Sequence, residues 1–291
     1  MRIARFKLLE EVEGPVRIGA LLSDGSFLDA TSLEPPTETH RLYDVDGRFV
    51  GDLRTAVEAA EDGRPGLPVR SASTVRVLAP VGRPGKIVCV GLNYEDHALE
   101  STMEVPDEPL IFSKFPGTIN DPEAVVRIPE GSTQVDFEAE LGVIVGRTLR
   151  NCTPEEALDG VLGYTCINDV SARDFQFADG QWQRGKSCDG FCPVGPSIVT
   201  TDDIPDPQDL DISLTLNDEV MQESHTRDMI FDVRRIIAHV TTFATLEPGD
   251  LIATGTPPGC GFALDPPVWL APGDRMAVRI GGIGELHNTV G

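Results

Sequence analysis

From Val75 to the C-terminus the chain is a succession of short, β-branched apolar runs, each cut off by glycine or proline. The clearest are residues 86–91, 138–146, 161–168, 212–216, 251–254 and 276–280. Runs this short fit strands, because a pleated backbone packs β-branched side chains well and tolerates proline only at its edges and ends. Pro-Gly-Asp occurs at 248–250 and at 272–274, each time just before such a run. Proline presets the first turn position and glycine takes the positive φ of the second, so each triplet launches a strand. One helix is expected over 228–246, where Ile230, Val233, Ile237, Val240 and Ala244 share a face and Pro248-Gly249 close it. His239 lies beside that stripe and reads as a structural histidine. No repeat of 20–50 residues is visible. The expected fold class is α+β and β-rich, without βαβ alternation.

Residues 1–72 carry strand-like runs at 3–8 and 16–22 and a helical candidate at 53–60. They end in a Gly/Pro/Ser-rich stretch, 62–73, with linker chemistry. The expected organisation is a small N-terminal β-rich domain, 1–72, before a larger domain, 73–291. A chain of 291 residues buries enough surface to need no covalent staples. The six cysteines lack zinc spacing, since Cys188 and Cys192 have no second pair, and most of them read as buried thiols of a reducing compartment. Acidic residues outnumber basic ones 47 to 24, for a net charge of −23, which opposes nucleic acid and anionic membranes. No run approaches the ~18 apolar residues of a membrane span and the start lacks a signal-peptide core, so the expected location is the cytoplasm.

Three constellations bear on chemistry. Gly180 to Ser187 literally satisfies the P-loop pattern, with Gly185-Lys186-Ser187 at its end. A P-loop needs a helix after it to hold phosphate, and Gly190, Pro193, Gly195 and Pro196 forbid one there. Nucleotide binding is therefore set aside. The second is Glu138-Ala139-Glu140, which would place both carboxylates on one face of a strand. A solvated strand face accounts for this pair equally well in so acidic a chain. Asp169 tips the balance, because a carboxylate closing the apolar run 161–168 is costly unless paired or metal-bound. Three carboxylates without a Cys/His cluster suit a hard cation. The third is Asn93-Tyr94-Glu95-Asp96-His97-Ala98-Leu99-Glu100, where Asn93 could cap a short helix with His97 and Glu100 on one face. A carboxylate beside an imidazole fixes its tautomer, as a general base requires, although on spacing alone a surface ion pair is the simpler reading. Serine-hydrolase and dinucleotide signatures are missing from the sequence.

Taken together, the motifs resemble the fumarylacetoacetate hydrolase superfamily from about Pro84 onward. The resemblance is carried by Gly91-Leu92-Asn93-Tyr94 with His97 and Glu100, by Phe137 through Gly146, and by Asn168-Asp169 with Arg173-Asp174. It continues through Gln181-Trp182, Gly185-Lys186 and Gly195-Pro196 to Thr254-Gly255-Thr256 and Gly259. It implies a mixed β-roll, usually dimeric, around a divalent metal held by Glu138, Glu140 and Asp169. Mg²⁺ or Mn²⁺ would be the ion, with Ca²⁺ possible. It further implies that His97 and Glu100 activate water, that Lys186 is the cation beside the reacting centre, and that Arg173, Gln176 and Thr256 contact substrate. The expected substrate is a small acylpyruvate-type 2-oxo or 2-enol carboxylic acid, as in the breakdown of aromatic compounds, hydrolysed at a C–C bond. Isomerisation or decarboxylation of 2-hydroxy-dienedioates or oxaloacetate-like acids is the alternative at the same site, and a non-catalytic ligand-binding relative is the alternative of another class. The expected assembly is a homodimer.

Overall fold

The computed structural model describes residues 1–11, 13–33 and 42–291. Its middle strand, Ala139–Val145, runs antiparallel to Val161–Asn168 on one side and to Leu251–Ala253 on the other. Beyond Val161–Asn168 the sheet continues through Cys192–Thr200 to the N-terminal strands Arg2–Leu8, Arg17–Leu21, Phe27–Asp29 and Val69–Arg70. Beyond Leu251–Ala253 it continues through its parallel neighbour Ile87–Gly91 to the edge strand Leu110–Ser113. A second sheet of five strands contains Asp211–Leu216, Glu219–His225, Arg275–Ile280, Gly284–Val290 and Val125–Val126. The architecture is the strand-rich mixed fold that the punctuation of the sequence calls for.

Side chains alternate across the sheet, and each face has its own core. Leu141, Val143 and Val145 pack into one core with the second sheet and the helix Val233–Phe243. Ile144, Leu162 and Ile198 pack into another with Ile3, Ile18 and Leu53 of the N-terminal segment. Burial on both faces explains why Val143-Ile144-Val145 is continuously apolar. The Pro-Gly-Asp turns form as expected, with φ of +87° at Gly249 and +97° at Gly273.

Two local expectations need correction. The helix expected over 228–246 is shorter, Val233–Phe243, because Asp232 caps it by accepting the Arg235 N–H at 2.8 Å. Upstream, Ile230 and Phe231 donate their N–H groups to Asn93 instead of joining the helix. Within the stretch 62–73, expected to be linker, Val69–Arg70 pairs with Phe27–Asp29 as a short strand. The helical candidate at 53–60 is the second half of Arg48–Glu61. Among the described residues no helix is long and apolar enough to cross a membrane.

Candidate active site

The register of two strands assembles the acidic cluster. Ala139 lies opposite Asn168, so Glu138 faces Asp169 across the pair. The Asp169 N–H donates to the Glu138 carbonyl at 2.9 Å, and the Glu138 N–H donates to Asn168 Oδ1 at 3.0 Å. Glu138, Glu140 and Asp169 each offer a carboxylate oxygen within 4.8 Å of the others, and all three are buried. The solvated-face reading of Glu-x-Glu is thereby overturned: these carboxylates are buried where the strand Ala139–Val145 starts and its partner Val161–Asn168 ends, and buried cations offset their desolvation. Lys186 Nζ donates to Glu138 Oε2 at 2.7 Å and to Asp169 Oδ2 at 2.9 Å. Lys114 Nζ bonds Asp169 Oδ1 and, at 3.0 Å, the Val170 carbonyl. The Arg173 guanidinium lies 2.8 Å from both Glu138 and Asp136.

Among the described residues, four buried carboxyl groups, Asp136, Glu138, Glu140 and Asp169, face three buried cations, Lys114, Arg173 and Lys186. Glu140 forms no salt bridge among the described residues and accepts the Gly255 N–H at 2.9 Å. Burial, followed by the charges of Asp169 and Glu138, pushes its carboxyl well above the usual range. Burial would raise Glu138 too, but Lys186 and Arg173 override it and hold that carboxyl low. Lys186 is desolvated, yet Asp169 and Glu138 raise its pKa, so it stays protonated. An all-oxygen donor set whose Glu140 has no salt bridge among the described residues fits a hard divalent cation among Glu138, Glu140 and Asp169, whose charge would favour the ionised carboxylate. Gly255 serves that set: its φ is +98°, and a Cβ there would come within 2.6 Å of Asn93 Cβ.

His97 and Glu100 lie on the helix Glu95–Glu100, with His97 Nδ1 2.8 Å from Glu100 Oε1. Asn93 is not its cap. The residue is buried, donating to the carbonyls of Phe231 at 3.0 Å and Thr254 at 2.7 Å and accepting from the Phe231 N–H at 2.8 Å. Three tertiary hydrogen bonds outweigh the one a cap supplies. The pair is not on the surface either, for His97 is only 6% exposed. Glu100 Oε2 accepts the Gly259 N–H at 2.9 Å, which ties the dyad to the loop after Leu251–Ala253.

A cavity of about 200 Å³ is lined by His97, Glu138, Glu140, Arg173, Gln176, Lys186 and Thr256, with Phe112, Trp182 and Phe262 as apolar wall. Asp169 and Glu100 stand one layer behind this lining. Arg173 is heavily engaged, since beyond its two carboxylates it donates to Gln176 Oε1 at 3.0 Å. Thr256 accepts from Gln222 Nε2 at 2.8 Å. Lys186 comes from the one-turn helix Gln183–Lys186 and turns its ammonium onto carboxylates.

Sequence reasoning missed several members. Lys114 carried no signal beyond being one of four lysines. Asp136 accepts Arg173 Nε at 2.9 Å and the Gly261 N–H at 2.8 Å, bracing the loop that supplies Phe262. Its place two residues before Glu138, on the same alternate face, was the available clue.

Comparison with known proteins places the chain in a family. Residues 86–291 match the family model described as fumarylacetoacetate (FAA) hydrolase C-terminal. A Xenopus laevis protein named oxaloacetate tautomerase fahd2, mitochondrial, is 40% identical over 100% of this chain and 90% of its own. The solved fumarylacetoacetate hydrolase of the psychrophile Exiguobacterium antarcticum superposes with a TM-score of 0.84 at 38% identity, covering 100% of this chain and 99% of that one. The 2-hydroxyhepta-2,4-diene-1,7-dioate isomerase of Mycobacterium marinum superposes with a TM-score of 0.77 at 34% identity, covering 100% and 98%. The chain belongs to the fumarylacetoacetate hydrolase superfamily of enzymes.

Proposed function

We propose that this enzyme moves a proton at the carbon next to the carbonyl of a small 2-oxo or 2-enol carboxylic acid, interconverting its keto and enol forms. The observation that carries this reading is His97, backed by Glu100 at 2.8 Å, lining a cavity together with Glu138, Glu140 and Lys186. The volume, about 200 Å³, is below the ~300–1,000 Å³ of sites for drug-sized ligands and suits a short acid. With Glu100 accepting from Nδ1–H, the imidazole keeps its lone pair on Nε2, where it can take the proton and return it. A divalent cation at Glu138, Glu140 and Asp169, Mg²⁺ or Mn²⁺, would supply Lewis-acid polarisation of the 2-oxo group. Lys186, held protonated, adds positive charge beside the developing enolate oxygen. The apolar wall of Phe112, Trp182 and Phe262 limits water around the base. The name of the Xenopus relative, which matches along the whole chain, supports the tautomerase form of this reading.

Hydrolysis of a C–C bond in an acylpyruvate is the second reading, favoured by the same dyad, which could equally deprotonate a water, and by the similarity to the Exiguobacterium hydrolase. Keto–enol exchange takes and returns one proton at a single base, whereas hydrolysis also consumes a water. The test is turnover of oxaloacetate enol and of acetylpyruvate with Mg²⁺ or Mn²⁺, in wild type, His97→Ala and Glu138→Ala. Exchange lost in both variants, with no cleavage product, supports the first reading; pyruvate released from acetylpyruvate supports the second. Exchange that survives His97→Ala would remove His97 as the base.

A further inference from the structure

Cys260 is a buried thiol on the loop after Leu251–Ala253, and nothing in the proposed reaction uses it. Its Sγ lies 3.8 Å from His97 Nδ1. His97, Glu138 and Cys260 each offer a ligand atom, all within 4.8 Å of one another and all buried. This donor set differs in kind from the carboxylate trio. One sulfur, one imidazole nitrogen and one carboxylate oxygen suit a borderline-soft cation, whereas three carboxylates suit a hard one. The spacing is also apt: Zn–S and Zn–N bonds of ~2.3 and ~2.0 Å at a tetrahedral angle put sulfur and nitrogen roughly 3.6 Å apart. Gln222 Nε2 donates to Sγ at 3.7 Å, contact that steadies sulfur as a ligand. His97 and Glu138 both line the cavity, so a cation entering it reaches two of the donors directly.

We propose that His97, Glu138 and Cys260 form a second cation site, selective for Zn²⁺ over Mg²⁺, and that filling it inhibits the enzyme. Binding releases the thiol proton to solvent and makes a sulfur–metal bond, with no change of oxidation state. Zinc on Nδ1 displaces the hydrogen bond to Glu100 and shifts the single ring proton of the neutral imidazole to Nε2, so inhibition follows because Nε2 no longer has a lone pair to take the substrate's proton. That second half rests on His97 being the base proposed above; the site itself does not. Glu138 is common to both cation sites, so zinc also competes for a ligand of the hard cation.

Cobalt(II) reports the site independently of turnover, because cysteine ligation gives a sulfur-to-metal charge-transfer band in the near ultraviolet. Wild-type enzyme, saturated with Mg²⁺ and then titrated with Co²⁺, should show the band; added Zn²⁺ should abolish it. Cys260→Ala and Cys260→Ser should both lack it, while Cys188→Ala, which alters a different thiol, should keep it. Circular dichroism melts confirm that each variant is folded, and two substitutions at 260 guard against one that fails to fold. Rates are then normalised to each variant's own zinc-free value. The zinc concentration for half-inhibition should rise in Cys260→Ala by roughly 10–100-fold or more, the loss a supporting residue alone produces at metal sites. No band in wild type, or a band that persists in folded Cys260 variants, overturns the site. A Cys260-dependent band with zinc inhibition unchanged in Cys260→Ala overturns the inhibitory role. Failure of every substrate tested would count against the proposed reaction and leave the cobalt result to judge the site.

Discussion

Replacing Asp136 with asparagine removes a charge from the most densely bonded carboxylate near the cavity. The side chain is fully buried and accepts from Arg173 Nε at 2.9 Å, the Phe137 N–H at 2.9 Å, the Gly261 N–H at 2.8 Å and the Phe262 N–H at 3.3 Å. Asparagine keeps one oxygen, so about half of these acceptor contacts survive, but an NH₂ group is then set against Arg173. Breaking a buried ion pair from one side costs about 3–5 kcal/mol. Arg173 retains Glu138 at 2.8 Å, which places the loss at the lower end, about 3 kcal/mol. Unfolding entropy of ~2.1 cal/mol/K per residue gives ~0.6 kcal/mol/K for a chain of this length, so Tm should fall by about 5 °C. The control is Asp46→Asn at the exposed Arg147–Asp46 pair, worth under ~1 kcal/mol and so less than about 2 °C. Both are read by calorimetry at equal metal and salt concentration. Equal melting of Asp136→Asn and wild type would refute the view that Asp136 braces Arg173 and the Phe262 loop.

Other consequences follow from the same geometry. Lys114→Met should melt lower in metal-free buffer, by about 3 kcal/mol of lost pairing, yet gain more from added Mn²⁺ than wild type, because Asp169 loses the cation bonded to Oδ1; an identical Mn²⁺-induced shift would refute it. Gly255→Ala should cost about 1–3 kcal/mol, since φ is +98° and the new Cβ would meet Asn93, and should weaken Mn²⁺ binding measured by calorimetry because the N–H serving Glu140 moves; unchanged binding would refute that link. Burial pushes the Cys166 and Cys192 thiols from 9.0 to about 12, so the folded state holds protons that the unfolded chain releases. Their contribution is complete below pH 9 and is lost as pH rises from there toward 12. Melting followed between about pH 8 and about pH 10.5 should therefore fall less steeply in a Cys166→Ala/Cys192→Ala double variant; equal slopes would remove these thiols as the cause.

The strands expected in the apolar runs, the Pro-Gly-Asp turns, the shared face of Glu138 and Glu140, and the pairing of His97 with Glu100 were legible in the sequence, because each depends on neighbours within a few residues. The strand Cys192–Thr200, with Pro193 and Pro196, was not. Side-chain period, turn chemistry and helical spacing act at that range and leave their mark on the linear order. The meeting of Asp169 with Glu138 needed the register that sets Ala139 against Asn168, and no local pattern specifies that pairing. Asn93 shows the competition directly: its local environment offered a helix cap, and the folded chain offered three hydrogen bonds to Phe231 and Thr254. Lys114 and Cys260 had no local signature, and Asp136 had only its alternation with Glu138, since what distinguishes them is the charge or ligand each meets across the fold. Local physics thus determined the elements and the residue types of the site, while burial, which alone makes their charges interact strongly, was decided by the tertiary structure.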